Sequence, residues 1–153
     1  MVPDQIKRET VIDAPPEVVW EVVTNPAYIR EWWGATAEID MRPGGEGTLS
    51  WEQFGVTVRL RVEQVDRPRL FAFRWVYPDG AEPCAENSLR VEFLLRGEGR
   101  GTRLRVIESG LSKIAWPAER KATYFDDHVR GWDRHVAALA RKVTELVAAS
   151  KER

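Results

Sequence analysis

The sequence predicts an α+β fold: a curved antiparallel sheet of about seven strands wrapped around one long C-terminal helix, with two short helices after the first strand. Three observations predict it. From Pro117 to about Ser150 the apolar positions Phe125, Val129, Trp132, Val136, Leu139, Val143 and Leu146 lie alternately four and three apart, which is one face of an α-helix. From residue 35 to residue 108 apolar and polar residues alternate instead, as in strands covered on one side only. The breaks between those alternating runs are mostly short, so successive strands pair as antiparallel neighbours.

Residues 5–13 read as the first strand. Asp13 is placed to cap a helix from about Pro16 to Thr24, where proline near the first turn is tolerated because its N–H would be unpaired anyway. Asn25-Pro26 stops that helix, and a second helical turn follows from Ala27 to Trp32. Ala35, Ala37, Ile39 and Met41 mark the second strand, and Arg42-Pro43-Gly44-Gly45 a turn. The third strand spans about 46–53 and Phe54-Gly55 is a tight turn. Val56, Val58, Leu60 and Val62 form the apolar face of the fourth strand, which Asp66-Arg67-Pro68 breaks. The fifth runs from Arg69 to Tyr77, with Phe71, Phe73, Trp75 and Tyr77 on one face. After a polar loop, 78–86, the sixth strand shows Leu89, Val91, Phe93 and Leu95, and beyond the 97–101 turn the seventh carries Thr102, Leu104, Val106 and Glu108 on one face.

A chain of 153 residues fits a single domain, 1–153, with room for a real core. Hydrophobic residues make up 43% and charged residues 31%, as in ordinary globular proteins. A net charge of −1 argues against nucleic acid as a partner, since phosphate binding needs a basic surface. No apolar run approaches the ~20 residues of a transmembrane helix, and the N-terminus shows no signal-peptide pattern. Cys84 is the only cysteine, so no internal disulfide forms, which suits a reducing cytoplasm. The unusual feature is seven tryptophans, enough to fill a core or to line a cavity that accepts an apolar guest. A curled sheet and a helix do not close perfectly, so a cavity between them is expected.

Glu108 is the charge that stands out. Alternation puts it on the inner face, where a carboxylate is costly unless it is paired or its pKa rises. His128 lies at the border of the helix stripe and can face it as an acid/base couple. The plainer alternative puts Glu108 at a strand end, meeting water or accepting from a tryptophan N–H. His135 is about two turns from His128, ~10 Å, too far for the pair alone to share a metal. No metal and no cofactor is expected. Ser109 lies in no Gly-x-Ser-x-Gly elbow, and the glycine-rich segments precede strands, so they are hairpin turns rather than nucleotide loops. Gly131 in mid-helix costs about 1 kcal/mol against alanine and suggests a close backbone approach.

The motifs Ile12-Asp13-Ala14-Pro15-Pro16-Glu17-Val18-Val19-Trp20, Asn25-Pro26 running into Glu31-Trp32-Trp33, Arg42-Pro43-Gly44-Gly45, Glu108-Ser109-Gly110-Leu111, Pro117-Ala118-Glu119-Arg120 and Gly131-Trp132 occur in an order that resembles the START-like, or helix-grip, superfamily. The superfamily includes polyketide-cyclase-like and birch-pollen-allergen-like proteins. More narrowly the chain is similar to the bacterial branch resembling the C-terminal domain of the activator of the heat-shock-protein-90 ATPase.

The resemblance implies three functions. The first is binding of a small hydrophobic or aromatic molecule between sheet and helix. Its wall would draw on Trp33, Trp51, Phe73, Trp75 and Tyr77 from the N-terminal side, and on Trp116, Tyr124, Phe125, His128 and Trp132 from the C-terminal side. Core packing is the plainer reading of the aromatic residues among them. The second is cyclase- or hydrolase-like catalysis by Glu108 and His128. The third is a co-chaperone-like interaction module, ranked last because no outer charged face marks a contact. A homodimer stays open.

Overall fold

The computed structural model describes residues 2–151. Its elements are β1 (Gln5–Ile12), α1 (Pro16–Thr24), α2 (Pro26–Trp33), β2 (Thr36–Ile39), β3 (Glu46–Trp51), β4 (Val56–Asp66), β5 (Leu70–Trp75), β6 (Leu89–Glu98), β7 (Gly101–Ser109) and α3 (Ala118–Lys151). The seven strands form one antiparallel sheet in the order β1-β7-β6-β5-β4-β3-β2. It is open, with β1 and β2 at its edges.

Strand alternation becomes the two faces of this sheet. Leu60, Val62, Phe71, Phe73, Val91, Phe93, Leu104 and Val106 are buried on the inner face, where they meet α1, α2 and the Trp132, Val136, Leu139 and Val143 stripe of α3. Outside, the charges pair across strands. Arg103 and Arg105 both reach Glu9, at 2.5 and 3.1 Å, and Arg74 and Arg90 both reach Glu63, at 3.1 and 2.8 Å. Such partly exposed pairs add little stability each. They give the outer face a largely charged surface toward water, with Val11 of β1 as an exposed apolar exception.

Several local expectations are corrected. Asp13 does not cap α1; Pro15 holds the N-cap position without a side-chain hydrogen bond. Asn25 instead caps α2, its Oδ1 accepting from the Ala27 N–H at 3.0 Å. β3 ends at Trp51 because Glu52–Phe54 forms a 3-10 turn, closed by Gly55 at φ 63°. β4 reaches Asp66 as expected, but a bulge between Val62 and Gln64 shifts its register, so that Val62 faces Phe73 and Val65 faces Phe71. β5 stops at Trp75 because Val76 takes φ 63°, a strained value for a β-branched residue.

The long helix does not cover the sheet evenly. α3 lies closest to β1, α1 and α2. Its buried residues all fall at or after Trp132. No described helix is long and apolar enough to cross a membrane.

Candidate functional site

A cavity of about 800 Å³ lies between the first half of α3 and the β4–β5 side of the sheet. This is within the ~300–1,000 Å³ usual for small-molecule sites. Trp33 from the end of α2, Trp51 from β3 and Trp75 from β5 wall it on one side. Tyr124, His128 and Trp132 face them from α3. Trp33 is the centre of the aromatic group. Its ring centroid is 5.4 Å from Trp132, 5.7 Å from Trp75 and 5.8 Å from Trp51, at interplanar angles of 44°, 47° and 78°. The Trp51 indole N–H donates to the Trp33 carbonyl at 2.9 Å, and Trp32 stacks behind Trp33 at 4.9 Å. Gly34, at φ 72°, ends α2 just after these rings, a conformation that favours glycine.

One wall of the cavity is fixed by a single buried carboxylate. Glu108 is only 1% exposed, on the inner face of β7. Its Oε2 accepts from the Trp75 indole N–H at 2.8 Å and from the Tyr124 hydroxyl at 2.5 Å. Its Oε1 accepts from the Trp132 indole N–H at 2.9 Å and lies 2.9 Å from His128 Nδ1. Burial pushes the carboxyl pKa up, but the hydrogen bond and charge of His128, then Tyr124 and Trp132, outweigh it and hold the pKa below the ordinary carboxylate value. Burial, and then the Glu108 charge, push the Tyr124 phenol well above its usual range. Glu108 is thus a fully paired anion inside the sheet, and the expectation of a tryptophan partner holds twice over.

Of the ten expected wall residues, Trp33, Trp51, Trp75, Tyr124, His128 and Trp132 converge on this cavity. The other four do not. Phe73 is buried in the core between Phe71 and Trp75, with ring centroids at 5.4 and 5.5 Å. Phe125 packs half-buried against the core away from the cavity. Tyr77 and Trp116 line an adjoining cleft of about 530 Å³, because positive φ at Val76 turns the chain out of the strand before Tyr77. There Arg120 lies over the Trp116 ring at 3.8 Å.

The cavity also holds residues that the sequence reading passed over. Phe54, 74% exposed, and Val56 form an apolar rim, presented by the 3-10 turn before Gly55. A bulky apolar residue at a turn tip was the available signal. Gly131 lines the cavity rather than permitting close packing. A Cβ built there would meet only the His135 ring, at 3.8 Å, an ordinary contact. His135 also lines the wall. Among the described residues, no three His, Cys, Asp or Glu side chains group as a metal set.

His135 gives the site a pH signature. Burial first, then the charges of Arg134 and His128, push its pKa down to about 4 from 6.5. Between those values the unfolded chain holds a proton that the folded chain does not. Stability is therefore full above pH 6.5 and declines as pH falls toward 4. The ring is only partly buried, so solvent screening trims the loss to roughly 1–2 kcal/mol. Urea denaturation at pH 7 and pH 5 is expected to show most of this loss in the wild type and little in His135→Phe. An equal loss in both proteins would assign the effect to other groups.

A curved sheet gripping a long C-terminal helix over a cavity is the START-like, helix-grip architecture. Residues 13–144 match the family described as Activator of Hsp90 ATPase homolog 1-like protein, and the chain belongs to that family. Among curated proteins none matches the chain. Solved structures share its fold. Protein MLL2253 from Mesorhizobium loti superposes with a TM-score of 0.74 at 22% identity, over 92% of this chain and 96% of that one. CalU16 from Micromonospora echinospora gives 0.68 at 23% identity, over 97% and 82%. The Aha1 dimer from Colwellia psychrerythraea gives 0.71 at 17% identity, over 94% and 96%.

Proposed function

We propose that the protein binds a flat, apolar small molecule in the cavity between α3 and the β4–β5 side of the sheet. The observation that carries this is the set of four indole rings on its wall, three of them with their N–H groups tied to fixed acceptors. Rings held in place lose little entropy when a planar guest stacks on them, and aromatic contacts add ~1 kcal/mol beyond area burial. The apolar rim at Phe54 and Val56 extends the same surface to the mouth.

The test is titration with naphthalene, followed by tryptophan emission. Quenching that saturates at one molecule per chain is the expected result. Absence of saturable quenching would remove the cavity reading and move weight to a chaperone-contact role, which the family description suggests. Catalysis is less well supported, because Glu108 is enclosed by four donors and has no free site from which to pass a proton. A dimer, as in the Colwellia relative, is compatible with binding and is read independently by light scattering.

A further inference from the structure

The four indole rings on the cavity wall do not offer a guest the same chemistry. The Trp51 N–H donates to the Trp33 carbonyl at 2.9 Å, and those of Trp75 and Trp132 donate to Glu108 at 2.8 and 2.9 Å. These three donors are spent inside the protein. The fourth, on Trp33, has no acceptor among the described residues. Nor is it sealed in: the fully buried side-chain nitrogens and oxygens without a partner are Arg61 Nε and the Tyr77 hydroxyl. Trp33 is only 6% exposed, and it lines the cavity, so the surface it keeps opens there.

The Trp33 ring is held where it is. Trp32 stacks on it with planes 11° from parallel, Phe93 meets it edge-on at 6.3 Å, and the Trp132 and Trp75 rings close around it. A ring packed on several sides does not rotate to find another acceptor. An indole N–H also has one fixed role, since it only donates. The Tyr124 hydroxyl is taken up by Glu108. The two histidines of the wall give or take a hydrogen bond according to which nitrogen carries hydrogen, so they impose no preference by themselves. Gln53, Asp127 and Arg134 reach the lining from exposed positions.

A hydrocarbon laid over the Trp33 N–H removes its water and returns nothing, whereas a carbonyl oxygen in the same place restores the lost bond. We infer that the Trp33 N–H donates to the ligand, so that the cavity selects flat aromatic molecules carrying a carbonyl oxygen over hydrocarbons of the same shape. The ligand class is an aryl ketone or a related ring carbonyl, and Trp33 is its specificity-determining residue. This deepens the cavity reading above and rests on it.

The experiment compares 2-acetylnaphthalene with 2-isopropenylnaphthalene, which replaces C=O by C=CH2 at nearly constant shape, by calorimetry on the wild type and Trp33→Phe. One neutral hydrogen bond corresponds to about tenfold in affinity. The ketone is expected to bind the wild type about tenfold more tightly than the hydrocarbon, and Trp33→Phe about equally. Equal binding of the two probes to the wild type overturns the assignment and leaves the cavity reading intact. A tenfold ratio that survives in Trp33→Phe gives the donor to another residue and also overturns it. Failure of both probes to bind the wild type overturns the cavity reading as well. Proton–nitrogen NMR of the wild type supplies a readout that does not depend on the variant folding. The Trp33 indole proton should move downfield with the ketone and clearly less with the hydrocarbon; equal movement with both overturns the inference.

Discussion

Replacing Glu108 with alanine is expected to lower the unfolding free energy by about 4 kcal/mol, with a fall in Tm of roughly 8–16 °C for a domain of this size. The cause is the four donors left behind. The indole N–H groups of Trp75 and Trp132 point into buried surroundings and lose the carboxylate that accepts from them, each at roughly 1–3 kcal/mol. Tyr124 and His128 lie on the cavity wall and recover part of their loss from water. Glu108→Gln should be less severe but still costly, since its amide turns donor against donor at one end. Urea denaturation followed by circular dichroism measures both. A loss under about 1 kcal/mol for Glu108→Ala would mean that the carboxylate is not the tie between sheet and helix described above.

Gly131→Leu is expected to reduce naphthalene binding by at least about tenfold while leaving the fold as stable or up to about 1 kcal/mol more stable. Position 131 is in mid-helix and faces the cavity, so a larger side chain gains helix propensity and occupies the guest's space. Stability and binding then move in opposite directions, which a merely structural glycine would not produce. Affinity comes from calorimetry and stability from thermal unfolding. Unchanged affinity in a folded Gly131→Leu protein would place the binding site elsewhere.

The parts of the fold legible in the sequence were those set by local period. The four-three spacing from Phe125 to Leu146 became α3, and the alternation from Thr102 to Glu108 put the carboxylate inside. Boundaries failed where one residue changed the local geometry. Val76 at positive φ turned Tyr77 away from the face it shared with Phe71, Phe73 and Trp75, and the bulge after Val62 moved the inward set of β4 from 60 and 62 to 65. Nothing in residue type announces either. The site was legible only in pieces. Glu108 and His128 stood out because charge fell on or beside an apolar face. Their two tryptophan partners come from β5 and α3, so that arrangement exists only after the sheet and helix have met.

The bonds around Glu108 also bear on how a guest gets in and out. Trp75 belongs to the sheet and Tyr124, His128 and Trp132 to the helix, and all four bind one carboxylate. Lifting α3 away would break three of those bonds together, so the helix is the hinge-side wall of a room and not its door. The opposite wall is three residues of 3-10 turn, with an exposed Phe54 at its tip and a glycine behind it. A guest bound as proposed would pass most cheaply there, and its exchange rate should be set by residues 52–56 rather than by the helix that gives the fold its shape.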